Sequence, residues 1–319
     1  MTKIQNVMAK KTTIAATSTA LTVNSGNVKN IQTLMGAIDA EITKGATNLY
    51  YKNREIIKSL FDPAIPYNVD VVYKRLVVID ALYSTNMNQR YYGIEDMANT
   101  IDALSPSDAG LRVLVCHFRN TLFLRGFSAV SSDPIAKAFA MSYGIHKNLA
   151  PAGSAMSLLS KYFYYLLLTN PSEIIGFPIY DSLASYMYPI VCKYVYAYGT
   201  PKEIVNVKKI NHLCDYFLAL NQLRTKIGIS SIGGSLQEFD LLDAYLWRMG
   251  KFSGNNFSLL LDQDDYKNLI NAAVSDAAGM KSEKVIIELG EYRKSSSSCP
   301  LSTNSLFANL WDHANKLGI

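Results

Sequence analysis

Two side chains in the segment SAMSLLSKYFYYLLLTNPSEIIGFPIYDSLASYMYP, residues 154–189, have the types and spacing for covalent or electrostatic chemistry: Lys161 and Asp181. The helix expected over the first part of this segment is apolar almost all round. Its exceptions, Ser154, Ser157, Ser160 and Lys161, recur at three- and four-residue spacing on one face. A lysine at the end of such a stripe, on a helix bound for the core, is partly desolvated, which lowers its pKa and sharpens the amine as a nucleophile. The alternative is a lysine whose stem lies along the stripe while its head reaches water. Asp181 follows Pro178-Ile179-Tyr180 and precedes a helical pattern. It is therefore a natural N-cap with its carboxylate near the positive end of a helix, and plain capping is the alternative to a chemical role.

The elements that carry these residues can bring them together. From Lys161 to Asn170 a helix descends ~14 Å at ~1.5 Å per residue. Pro171–Tyr180, partly extended at ~3.3 Å per residue, can climb back that distance, so that lysine and aspartate face one cleft. The rest of the chain reads as helices joined by short loops, with Pro and Gly between segments rather than inside them. Asn68 caps a helix expected over Val69–Tyr83, with Val69, Val72, Leu76, Ile79 and Leu82 apolar. Further helices are expected over Ile94–Leu104, Leu111–Leu124, Ser154–Leu168, Ser182–Ala197, Ile204–Thr225, Leu236–Met249, Tyr266–Ala277 and Ser305–Leu317. Ser235 and Glu238 have capping-box spacing just after Gly233-Gly234. Sustained period-two alternation is absent, and the expected fold class is all-α.

Composition bounds the function. The 319 residues are 49% hydrophobic and 18% charged, a globular balance that excludes a disordered or collagen-like chain. The net charge of +5 permits an anionic partner without requiring one. Cys116, Cys192, Cys214 and Cys299 are too scattered for a disulfide framework or a metal knuckle and read as reduced thiols of a cytoplasmic protein. Residues 1–28 read as a flexible arm, too polar for a secretory leader, and no apolar run approaches a membrane span. The chain has no GxxxxGK[ST], no strand–GxGxxG–helix unit, no HExxH and no GxSxG. His117, His146, His212 and His313 stand far apart, so no metal and no cofactor is expected.

The pattern SKYFYY…GFPIYDSLASY resembles the SKY…FPIYDS stretch of bacterial proteins with the 8-oxoguanine DNA glycosylase fold, within the helix-hairpin-helix DNA glycosylase superfamily. DLLDAYLWRMGK, residues 240–251, resembles their DxYLWxxGK element, and YSTNMNQRYYGIEDMANTI, residues 83–101, is similar to a region upstream. The likeness spans about residues 65–255; FPIYDS and YLW are its specific parts. It implies a multi-helix glycosylase-like architecture over 29–319, in two helical subdomains with the active-site cleft between them. It places the catalytic aspartate on Asp181, and on Lys161 the nucleophile of a lyase-competent member. The superfamily's hairpin usually carries glycines immediately before the lysine. Here Gly153 lies eight residues earlier, in LAPAGSAMSLLSK, so Gly153 and Ser154 are the candidate phosphate-binding turn. Cys299 alone is near the C-terminus, which does not fit the iron–sulfur loop of some members.

The resemblance implies a partner: double-stranded DNA with a damaged or modified base flipped into a pocket. Tyr180 is the leading pocket candidate, with Tyr162 and Tyr165 as further ones; core packing is the alternative for most of the tyrosines. Lys208, Lys209, Arg224 and Lys226, in a stretch whose balance is +3, and Arg248 and Lys251 after the YLW element are candidate phosphate contacts. Trp247 reads as a packing residue. The expected substrate is an oxidised purine or a hypermodified base of the kind found in phage DNA, which would make the enzyme a defence protein. The competing reading is a catalytically silent helical protein that binds DNA or another partner, with Asp181 only a cap.

Overall fold

The computed structural model describes residues 22–45, 49–83, 93–142, 156–196, 213–274 and 277–319. Fourteen α-helices make up these segments. They are α1 (Ser25–Thr43), α2 (Leu49–Ser59), α3 (Val69–Tyr83), α4 (Ile94–Leu104), α5 (Asp108–Arg125), α6 (Phe127–Ser132) and α7 (Pro134–Ser142), followed by α8 (Met156–Leu168), α9 (Ser182–Val195), α10 (Leu213–Ile227), α11 (Glu238–Ser253), α12 (Gln263–Ala273), α13 (Ser282–Ser295) and α14 (Ser305–Leu317). Among the described residues the one extended pairing is an isolated antiparallel bridge between Val23 and Tyr196. The chain is all-α, as the periodicity predicts, and none of the helices is long and apolar enough to cross a membrane.

The signals that start the helices act as their chemistry dictates. Asn68 Oδ1 accepts from Val71 N at 2.9 Å at the head of α3, and Ser107 Oγ accepts from Gly110 N at 3.1 Å at the head of α5. Two expectations are corrected. The N-terminal arm ends earlier than residue 28, because Asn24 caps α1 through Asn27 N, and Ile31, Leu34, Met35 and Ile38 of α1 are buried. The capping box at Ser235 does not form. The peptide N–H groups of Ser235 and Leu236 donate instead to Asp39 of α1, and Glu238 pairs with Arg224 of α10. Helix α11 therefore starts at Glu238, where Glu238 N and Phe239 N donate to the carbonyls of Ile174 and Ile175, each at 2.9 Å. Expected helices that reach into residues 143–155, 197–212 and 275–276 lie there outside the described residues.

Helix α8 is the spine of the core. Every residue from Leu158 to Leu167 is buried, the pattern of a helix covered on all sides. It packs against α2, α3 and α5, while α9 packs on α11, and α11 on α1 and α14. The loop between α8 and α9 thus joins two groups of helices and carries the FPIYD residues between them. Edge-on aromatic contacts stitch this junction, with Phe163 to Phe177 at 5.7 Å and Phe177 to Phe217 at 5.0 Å between centroids.

Candidate active site

The loop after α8 is fastened at its start by one carboxylate. Glu173 Oε1 accepts from Ile175 N at 2.9 Å and Gly176 N at 3.0 Å, and from Arg119 Nη1 of α5 at 2.7 Å. The same guanidinium nitrogen donates to the Gly176 carbonyl at 2.8 Å. Burial alone would raise the Glu173 carboxyl, but Arg119 and the two peptide N–H groups hold it below its ordinary value. Gly176 has φ +76°, and a Cβ there would lie 2.7 Å from Gln237 Oε1, so both backbone and space require glycine.

Beyond the turn, residues 177–181 run back along α8. The Ile179 carbonyl accepts from the Tyr216 hydroxyl at 3.1 Å. The Tyr180 N–H donates to Ser160 Oγ at 3.0 Å, and the Tyr180 carbonyl accepts from Lys161 Nζ at 3.3 Å. The next residue, Asp181, is extended and caps α9, Oδ1 accepting from Ala184 N at 2.6 Å. The climb that chain lengths allow is the path the chain takes: Lys161 is one hydrogen bond from the residue beside Asp181.

Lys161 does not reach water. It is 1% exposed, and Nζ also donates to Ser157 O at 3.3 Å and Ser157 Oγ at 2.9 Å. The amine sits 5.0 Å from the centroid of the Tyr83 ring. Burial pulls its pKa down, opposed by the Asp181 and Asp243 carboxylates. The serine stripe thus serves Lys161 directly, since two of its three hydrogen bonds end on Ser157.

Sequence reasoning missed a second layer supplied by α11 and α2. Asp240, 2% exposed, accepts from the Tyr164 hydroxyl of α8 at 2.5 Å and pairs with Arg54 of α2. One turn further along α11, Asp243 borders a cavity of about 10 Å³ with Pro178, Ile179 and Ala184, residues on both sides of Asp181. Burial of its carboxyl, and then the Asp181 charge, push Asp243 well above the usual carboxylate range. The available signal was the D-x-x-D spacing within DLLDAYLW, which puts both carboxyls on one helix face. A larger cleft of about 330 Å³ lies beside Arg54, Lys58, Asn170, Gln237 and Asp240.

The other candidate residues divide. Tyr180 is half-buried, edge-on to Tyr216 at 5.0 Å, and adjoins Asp181. Tyr162 and Tyr165 are core residues instead. Tyr162 packs on Phe61 at 5.1 Å, and the Tyr165 hydroxyl bonds that of Tyr83 at 2.7 Å. Arg248 is buried, pairs with Glu41 of α1 and lies 5.2 Å from the Tyr51 centroid; it faces the interior, which corrects its expected phosphate contact. Arg224 is engaged by Glu238 and Asn221. Lys226 is exposed, and half-buried Lys251 lies 5.8 Å from the centroid of the Trp247 ring. Gly153, Ser154, Lys208 and Lys209 lie outside the described residues. No group of three metal-ligating side chains occurs among the described residues, whose four cysteines are free thiols. Comparisons with protein-family models, curated proteins and solved structures found no match to this chain.

Proposed function

We propose that the chain is a DNA glycosylase with a helix-hairpin-helix glycosylase-like architecture, acting on an oxidised purine or a hypermodified base. The observation that carries the reading is the Lys161–Tyr180–Asp181 unit. It joins a buried amine to a helix-capping carboxylate twenty residues later, the two positions that the FPIYDS resemblance marks as chemical.

The chemistry follows from the parts. A paired base is unreachable, so the nucleotide must leave the stack, at a cost of a few kcal/mol. Cleavage of the N-glycosidic bond builds positive charge on the sugar as the bonding electrons depart with the base. A carboxylate already held in place stabilises that charge without the reorganisation that water would need. Asp181 suits this role because its position is fixed twice, by its own cap and by the bonds that clamp Tyr180.

Base release is the test. Duplexes carrying oxidised, alkylated, deaminated or hypermodified bases are incubated with the protein, and abasic sites are scored by alkaline cleavage. Release by the wild type that falls at least about 100-fold in Asp181→Asn supports the reading. Salt-sensitive binding without release on any duplex would assign the chain to silent DNA binders.

A further inference from the structure

The cleft of about 330 Å³ stands apart from the site proposed for chemistry. It shares no lining residue with the small cavity that Asp243 borders beside the Asp181 cap. Its volume falls within the range of small-molecule sites, ~300–1,000 Å³. The end of α1, the second half of α2, the turn after α8 and the entry to α11 wall it.

The floor is already satisfied. Asp240 accepts from the Tyr164 hydroxyl through Oδ1 and from Arg54 through Oδ2. Glu173 Oε1 holds Arg119 and two peptide N–H groups, and its Oε2 accepts from Cys116 Sγ at 3.4 Å. The Thr43 and Ser235 hydroxyls bond each other at 2.7 Å. Recognition therefore falls to the rim. There Lys58 Nζ lies 3.6 Å from Glu55 Oε2, one turn away on α2, with the two side chains 43% and 60% exposed. An ion pair this exposed contributes little, so a ligand that offers each partner a replacement parts them at small cost.

Charge and polarity then select the ligand. Arg54 and Lys58 face Glu55, Glu173 and Asp240, and Arg119 balances Glu173 from behind. An anion alone would meet the carboxylates, and a cation alone would meet Arg54 and Lys58. A molecule with an ammonium and a carboxylate on one carbon answers both halves of the rim pair. The C-terminal ends of α1 and α8, at Thr43 and Leu168, add partial negative charge that favours the ammonium on their side. Ile42, Leu168, Pro171 and Leu236 supply apolar surface for the rest of the molecule.

We propose that this cleft binds a free α-amino acid with an apolar side chain, its carboxylate on Lys58 and its ammonium on Glu55. The assignment does not rest on the glycosylase reading, and the outcome of the base-release test leaves it unchanged.

The test is calorimetry on the full chain at low salt, with three probes of one shape. They are leucine, isoamylamine, which lacks the carboxylate, and isocaproate, which lacks the ammonium. Leucine is expected to bind and to raise the melting temperature as its concentration rises. Each half-ligand should bind at least about tenfold more weakly, the loss expected for one hydrogen bond to a charged group. Lys58→Gln and Glu55→Gln change exposed side chains and should fold as the wild type does. The first should erase the advantage of leucine over isoamylamine, and the second its advantage over isocaproate. Leu236→Trp, which fills the cleft, should abolish binding; should it fail to fold, the two glutamine variants decide alone. No heat and no shift with leucine at millimolar concentration overturns the proposal, as does a half-ligand that binds as tightly as leucine. Leucine binding left intact in both glutamine variants overturns the site. Glycine binding as tightly as leucine overturns the part given to the apolar wall.

Discussion

The amino group of Lys161 donates to the carbonyl of Tyr180 at 3.3 Å, while the N–H of the same tyrosine donates to Ser160, the neighbour of that lysine. Two consecutive residues of α8 thus hold both peptide groups that flank Tyr180, and Asp181 inherits a fixed position. A side chain positioned by backbone bonds on one side and a helix cap on the other can be replaced without displacing its surroundings.

Asp181→Asn should therefore separate chemistry from folding. Asparagine caps as well as aspartate, so the melting temperature should stay within a degree or two of the wild type, while Asp181→Ala should lose about 1 kcal/mol. Base release should fall at least about 100-fold in both. A variant that melts normally and still releases base at the wild-type rate would confine Asp181 to its cap.

Asp240 has the opposite profile. It lies between Arg54 and the Tyr164 hydroxyl with 2% exposure, so Asp240→Ala leaves a buried guanidinium without its carboxylate. Such removals cost about 3–5 kcal/mol, against about 1–2 kcal/mol for Tyr164→Phe, which removes only one neutral donor. Urea unfolding of the two variants should show that order; the reverse would mean that Arg54 finds another partner.

These cases show which parts of the site can be read from sequence. Asp181 was legible because capping is local: an aspartate before a helical pattern finds its N–H donor three residues on. The return of the chain to Lys161 was legible from lengths alone. Asp240 was not, since its meaning depends on the Tyr164 hydroxyl that it accepts from, 76 residues away in sequence. Ser235 misled for the same reason, because Asp39 of α1 takes the N–H groups beside it. Arg248 resembled a surface cation, but its side chain is buried and pairs with Glu41 of α1.

The Arg119–Glu173 clamp should set an acid limit on the loop that carries Asp181. Glu173 is held below its ordinary 4.5, so the stabilisation from this pair is complete above that value and lost as pH falls through the lower folded value. Glu173→Gln should flatten this part of the stability–pH curve. It should also make peptide bonds near 171–178 more sensitive to protease at neutral pH. Unchanged cleavage would show that Tyr216 and Ser160 hold the loop without the clamp.

His313 adds a second, higher window. It is 3% exposed, with Nε2 2.8 Å from the Tyr245 hydroxyl, and burial pushes its pKa from 6.5 to about 4. Between those values the unfolded chain binds a proton that the folded chain refuses. Stability is therefore complete above about 6.5 and declines as pH falls toward about 4, by roughly 3 kcal/mol. His313→Gln should remove that slope from thermal melts taken between pH 7 and 4.5.

The ring of Tyr83 sits 5.0 Å from the Lys161 amine and is tied to Tyr165 by a 2.7 Å hydroxyl contact, so it covers the one buried lysine among the described residues. An extrahelical sugar can meet that amine only if the cover moves. Reductive methylation followed by mass spectrometry should find Lys161 among the slowest lysines to react in the wild type. Tyr83→Phe, which keeps the ring and loses the tie, should speed it modestly. Tyr83→Ala should speed it by about tenfold, the change expected for a loss of ~1.4 kcal/mol in closure. If Lys161 stays equally protected in Tyr83→Ala, entry runs by another side, and the Pro178–Ile179 face next to Asp243 becomes the path to test.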